Sequence, residues 1–72
     1  MENSKMLNTI RVERAKKRIT QAELAEQLNV SRQTIHSIET GKFVPSTVLA
    51  LKIARYFHVE FSEIFQLSDG EI

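Results

Sequence analysis

The stretch "TQAELAEQLNVSRQTIHSIETGK", Thr20 to Lys42, decides how this chain is read. Thr20 followed by Glu23 has the pattern of a capping box. The hydroxyl accepts from the backbone N–H of the third helical residue, and the carboxylate reaches back to the N–H of the cap. A helix is expected from Gln21 to Leu28, with Leu24, Ala25 and Leu28 on one face. Asn29 tolerates the left-handed conformation that ends a helix. Val30 then plugs the corner, and Ser31 caps the next helix at once. That helix is expected from Arg32 to Thr40, with Ile35 and Ile38 turned inward. Two short helices joined through "NVS" at a steep angle form a helix-turn-helix.

The polar side of the second of these helices is the candidate reading surface. With Arg32 at zero, a rotation of about 100° per residue puts His36, Gln33 and Ser37 at roughly 40°, 100° and 140°. The same rotation puts Ile35 and Ile38 at roughly 300° and 240°, opposite the polar arc. Any amphipathic surface helix has this geometry, so periodicity alone does not separate a solvated face from a reading face. The choice of residues adds something. The arc holds Arg, Gln, His and Ser and no acid, whereas a merely solvated face is usually built of Glu and Lys. Arg can grip O6 and N7 of guanine with two hydrogen bonds, and Gln can do the same with N6 and N7 of adenine.

Outward from this centre, helical punctuation continues. A first helix is expected over about Lys5 to Lys17. A fourth runs from Thr47 to Phe57, capped by Ser46 after Pro45, with Leu49, Ile53 and Phe57 spaced four apart. A short fifth covers Phe61 to Phe65. No segment alternates apolar and polar residues, so no strand is expected. The tail "QLSDGEI", residues 66–72, reads as loose, with Leu67 and Ile72 able to pack on something.

At 72 residues the chain is expected to form one domain, 1–72, with a thin core. It has no cysteine, which closes the disulfide route and any Cys-based zinc site. His36 and His58 are too far apart for a helical zinc motif. No Gly-rich phosphate loop and no nucleophile–base constellation is visible, so neither enzyme activity nor a cofactor is expected. "HSIE" holds His, Ser and Glu, but on one short helix their side chains fan apart. No apolar run is long enough for a membrane span, and "MENSKMLNTIRVERAKKR" lacks the apolar stretch of a signal peptide. The expected compartment is the cytoplasm. Net charge is +1, but residues 1–42 carry eight Lys/Arg against five Glu, and residues 43–72 carry two Lys/Arg against four acids. This split suits a polyanion-facing side, and it suits an ordinary solvated surface as well.

"QAELA", "VSRQTI", "IETGKFVPS" and "ALKIA" follow one another in the order and spacing of the Cro and lambda-repressor type of helix-turn-helix family, also called XRE-like. The resemblance covers roughly Ile10 to Phe65. It implies an all-α, compact five-helix DNA-binding domain. Members usually act as dimeric transcription regulators, so a prokaryotic or phage-type repressor or activator is expected. Arg18 and His58 stand where many members have glycine at a helix end. Glu13 falls where an apolar residue is common, and Glu60 replaces the usual Ser or Thr cap. These departures bear on helix ends and on packing of the first helix, not on the DNA face.

The resemblance also implies roles for residues. Ser31, Arg32, Gln33, Thr34 and Ser37 match the positions of base contacts, and the N-terminal part of the second helix of this motif reads base edges. Thr34 is turned partly away. His36 is open between a base or phosphate contact and an exposed histidine without a role. Gln21, at a helix N-terminus where N–H groups and the dipole favour an anion, matches a phosphate clamp. Thr40 and Lys42 are further phosphate candidates, with Gly41 allowing a sharp turn and a close approach. Lys16, Lys17 and Arg18 either approach phosphate or offset the dipole at the end of the first helix. His58 is expected to end the fourth helix, since histidine is enriched in left-handed conformations. Arg14 and Glu39 match a buried ion pair between the first and third helices.

The expected function is sequence-specific binding of double-stranded DNA, as a homodimer on a pseudo-palindrome with half-sites ~34–36 Å apart. Phe61, Ile64, Phe65, Leu67 and Ile72 are the candidate dimer surface, with plain core as the competing reading for some of them. The alternative function is an antitoxin or adaptor of the same fold whose main role is binding a protein partner.

Overall fold

The computed structural model describes residues 6–68. In chain order the elements are β1 (Met6–Asn8), α1 (Ile10–Lys17), α2 (Gln21–Leu28), α3 (Arg32–Glu39), α4 (Thr47–Phe57), α5 (Phe61–Ile64) and β2 (Phe65–Leu67). The five helices surround one apolar cluster. Ile10, Leu24, Ile35, Ile38, Ile53 and Ile64 are its largest fully buried side chains. Each contributes about 1.5–3 kcal/mol relative to exposure. Every helix supplies at least one of these side chains, so none of the five can be removed without opening the core.

Three helices end in the same way. Arg18, Asn29 and His58 take left-handed φ values of 58°, 60° and 58° as the caps of α1, α2 and α4. The following residue is apolar each time. Its N–H reaches five residues back: Ile19 to Arg14, Val30 to Ala25 and Val59 to Ala54, at 3.1, 3.0 and 3.1 Å. This is the Schellman motif, which satisfies orphan carbonyls and seats an apolar residue against the core. Arg18 and His58 therefore do the work of the family's usual glycines. Glu60 likewise serves without a hydroxyl, its N–H donating to Glu63 Oε1 at 2.9 Å. Glu13 stays half-buried and reaches Lys16 Nζ at 3.4 Å.

The expectation of no strands is corrected. β1 and β2 pair antiparallel with Met6 opposite Leu67, Leu7 opposite Gln66 and Asn8 opposite Phe65. Three residues are too short to show alternation, and the pairing joins the two ends of the described chain. The first helix accordingly begins at Ile10, not at Lys5. Asn8 Oδ1 accepts from the N–H of Ile10 at 3.1 Å, and Thr9 N–H donates to the carbonyl of Ile64 at 3.0 Å. Those bonds hold the segment before Ile10 out of the helix. The fifth helix ends at Ile64, because Phe65 turns into extended backbone. Gln66 and Leu67 are strand residues and not a loose tail.

The burial pattern also revises the candidate dimer surface. Ile64 and Phe65 are buried in the chain's own core, whereas Phe61 and Leu67 are exposed. Phe65 lies under Phe61, with ring centroids 5.4 Å apart. Ile72 lies outside the described residues.

Candidate nucleic-acid interface

The helix-turn-helix is built by local caps. Thr20 Oγ1 accepts from Glu23 N–H at 3.0 Å, and Glu23 Oε1 accepts from Thr20 N–H at 2.8 Å. The capping box read from the sequence is thus formed. Asn29 closes α2, and Ser31 Oγ accepts from the N–H of Thr34 at 3.0 Å to open α3. Ile35 and Ile38 anchor α3 in the core, which leaves Ser31, Arg32 and Gln33 exposed and Thr34, His36 and Ser37 half-buried. Thr40 is the C-cap of α3 and not its last helical residue.

A side-chain network runs from beneath α3 to its exposed face. Arg14 Nε donates to Glu39 Oε2 at 2.6 Å, Arg14 Nη2 donates to Glu39 Oε1 at 3.2 Å, and Arg14 Nη1 donates to the carbonyl of Ile19 at 3.0 Å. Side-chain exposure is 15% for Arg14 and 4% for Glu39, so this is a two-pronged pair at the edge of the core. Gln21 Nε2 donates to the same Glu39 Oε1 at 3.0 Å and lies 3.4 Å from His36 Nδ1. Gln21 Oε1 accepts from Arg32 Nη1 at 3.0 Å. The amide of Gln21 therefore ties the buried pair to the first residue of α3.

Electrostatics follow from this arrangement. Burial by itself would raise the Glu39 carboxyl, but hydrogen bonds from Arg14 and Gln21 and the positive charges of Arg14 and Arg11 outweigh it. The group is held below its ordinary value of 4.5. Glu39 is the single acid of α3, and it is covered and neutralised. The exposed arc therefore presents Arg32 and amide or hydroxyl groups to solvent without a competing carboxylate.

The candidate residues separate by what they already bond. Gln33 Nε2 donates to Ser37 Oγ at 3.3 Å, and the Ser31 and Thr34 hydroxyls are 2.8 Å apart. Thr40 Oγ1 donates to the carbonyl of His36 at 3.0 Å, with that of Ser37 at 3.3 Å. Its one proton is thus directed into α3, and a phosphate contact would require it to leave. Lys42 is exposed, on a loop whose N–H groups at Lys42 and Phe43 donate to the carbonyl of Ser37 at 2.9 and 3.2 Å. Gly41, at φ +80°, makes the turn that places them there. Lys17 Nζ stands 5.6 Å from the centre of the Tyr56 ring, a position that favours a cation–π contact.

Sequence reasoning missed two residues near this face. Asn8 Nδ2 donates to the carbonyl of Ile38 at 2.9 Å, bracing the end of α3 from β1. A lone Asn far from the motif gives no signal of this. Phe43 stands half exposed beside α3, and its signal was present: an aromatic residue next to Lys42 that no apolar period claims. Among the described residues no cluster of His, Asp and Glu has metal-binding geometry, and no helix is long and apolar enough to cross a membrane.

Comparison with known proteins agrees with this architecture. Residues 10–64 match the helix-turn-helix family. An uncharacterized HTH-type transcriptional regulator of Methanocaldococcus jannaschii is 48% identical over 66 residues, covering 92% of this chain and all of the relative. Another such regulator, from Bacillus subtilis, is 39% identical over 64 residues, covering 89% of this chain and 97% of the relative. The crystal structure of a candidate DNA-binding protein from Bacteroides fragilis superposes with a TM-score of 0.75 at 34% identity, covering 85% of this chain and 98% of that one. The names of the regulators point to transcriptional control and not to an enzyme.

Proposed function

Because the chain belongs to the XRE-type helix-turn-helix family, we propose that it is a transcriptional regulator that binds double-stranded DNA and reads the major groove with α3. The observation that carries this reading is the exposed face of α3. Arg32 and Gln33 stand at its N-terminal end, clear of the core, and the only acid of the helix is buried against Arg14. In this motif that end of the second helix contacts base edges, and Arg and Gln are the residues that form bidentate pairs with guanine and adenine. Ser37 continues the face one turn on, and Ser31 and Thr34 line its start. His36 stands 3.4 Å from Gln21, and in this reading it is a base or phosphate contact of second rank.

Phosphates flank the base readers. Lys42 is the principal contact, and the N-terminus of α2 at Gln21 offers a second anion site through its dipole. The Gln21 side chain serves chiefly to hold Arg32. A module of this size makes few phosphate contacts, so we propose a homodimer that doubles them on a pseudo-palindromic operator. Phe61 and Leu67 are exposed apolar residues at or near β2 that suit such a contact, and Leu7 on the paired strand is exposed beside them.

Selection of bound duplexes from a random DNA library at fixed salt tests the reading. The expected product is a two-fold symmetric site whose half-sites are ~34–36 Å apart, one helical turn. Binding without any sequence preference would overturn it.

A further inference from the structure

Phe43 exposes 49% of its surface, lies outside the core cluster, and shares an open cleft with Gln33, Thr34 and Ser37. An exposed phenylalanine alone says little. This one is held in place. Its N–H donates to the carbonyl of Ser37, the neighbouring Lys42 N–H does the same, and Pro45 on the other side is buried. The loop is thereby pinned to α3, and the ring stands beside the side chains expected to meet base edges. Within the cleft Gln33 donates one amide N–H to Ser37, and the Thr34 hydroxyl is bonded to Ser31. The ring of Phe43 is the aromatic wall of the cleft and stands outside the core.

We propose that Phe43 is a specificity-determining residue whose ring packs on the C5-methyl group of a thymine in the groove read by α3. The major-groove edge of thymine carries one apolar group, that methyl, and apolar side chains including Phe are its natural contacts. The charged phosphate oxygens give an aromatic face no comparable match. The position next to Lys42 fits as well, since a lysine on the phosphate brings its neighbour to the rim of the groove. The inference rests on the groove-reading role of α3. It adds a discrimination that Arg32 and Gln33 do not supply, because hydrogen-bonding side chains do not detect a methyl.

The test uses the duplex recovered by library selection, with each thymine replaced singly by deoxyuridine, which removes only the methyl. At one thymine in each half-site the wild-type protein should bind about four-fold more weakly, the weight of one buried methyl group. Phe43→Ala should bind the thymine and uracil forms of that position alike, and Phe43→Leu should retain a preference for thymine. Thermal melts of both variants should match the wild type, since the ring is outside the core. Uniform tolerance of deoxyuridine, or a Phe43→Ala protein that still distinguishes the two bases, overturns the assignment to Phe43 while leaving the reading of α3 intact. Failure to recover any preferred duplex overturns both. If Phe43→Ala instead lowers the oligomeric mass and leaves the uracil effect unchanged, Phe43 is an assembly residue and the proposal falls.

Discussion

Arg14 and Glu39 stand 25 positions apart in the chain and meet at 2.6 Å, with Glu39 almost wholly covered. The pair fastens α1 to the far end of α3, so the reading helix is held from below at the end opposite to Arg32. Truncating one partner leaves the other charge buried and unmatched. Arg14→Ala should therefore cost about 3 kcal/mol, at the lower end for a broken buried pair because the guanidinium keeps some contact with water. In a domain of this size that lowers the melting temperature by more than about 10 °C. Equal melting temperatures for mutant and wild type would refute the structural role.

The same pair gives stability a pH dependence of definite sign. Glu39 has a lower pKa folded than its ordinary value of 4.5, so the folded state favours the ionised form. Its contribution is complete above the unfolded value and is lost as pH falls through the folded one. Denaturant titrations of the wild type and Glu39→Gln should differ most at neutral pH, and the gap should shrink below about pH 4.5. A gap that is constant down to acid pH would contradict the assignment.

Asn8 joins β1 to α3 and to the first N–H of α1 with one amide, donating to Ile38 and accepting from Ile10. Asn8→Ala removes both bonds and leaves a carbonyl at the end of α3 without this partner. A loss of about 1–2 kcal/mol is expected by chemical denaturation. Hydrogen exchange should quicken first in β1 and in the opening turn of α1. Unchanged protection there would mean that strand pairing alone holds the segment.

The base and phosphate contacts proposed for α3 and its loop predict two different phenotypes. Gln33→Ala and Arg32→Ala should relax preference at single positions of the site by about 1–3 kcal/mol each. Lys42→Ala should weaken all sequences alike and reduce the slope of log K against log salt by about 0.9. Competition binding at several salt concentrations separates the two. A uniform effect of Gln33→Ala would remove it from the base-reading set.

Self-association through the β2 side should give a two-chain mass by light scattering at micromolar concentration. Leu67→Glu places a charge on an exposed strand position, so it should shift the mass toward one chain with little change in melting temperature. A one-chain mass for the wild type would remove the homodimer from the functional reading.

The helix-turn-helix was legible because its signals are local. Thr20 with Glu23, Asn29 with Val30, and Ser31 each act within four or five residues, and the bonds they form are those their spacing predicts. The inward turn of Ile35 and Ile38 followed from a fixed rotation per residue. The choice of Arg and Gln at the start of α3 was equally plain, because the side chains themselves carry the hydrogen-bonding pattern.

Tertiary structure decided what depends on distant partners. β1 and β2 are three residues each, too short for a periodic signal, and exist because the two ends of the described chain meet. Asn8 acquires its role only when β1 passes the end of α3, and Gln21 becomes the support of Arg32 only when Glu39 and His36 are brought beneath it. Among the C-terminal apolar residues, the sequence could not sort core from surface: Ile64 and Phe65 face inward, while Phe61 and Leu67 remain in solvent. Periodicity tells which residues share a face of one element. Whether that face meets another element or water is set by the packing of all of them together.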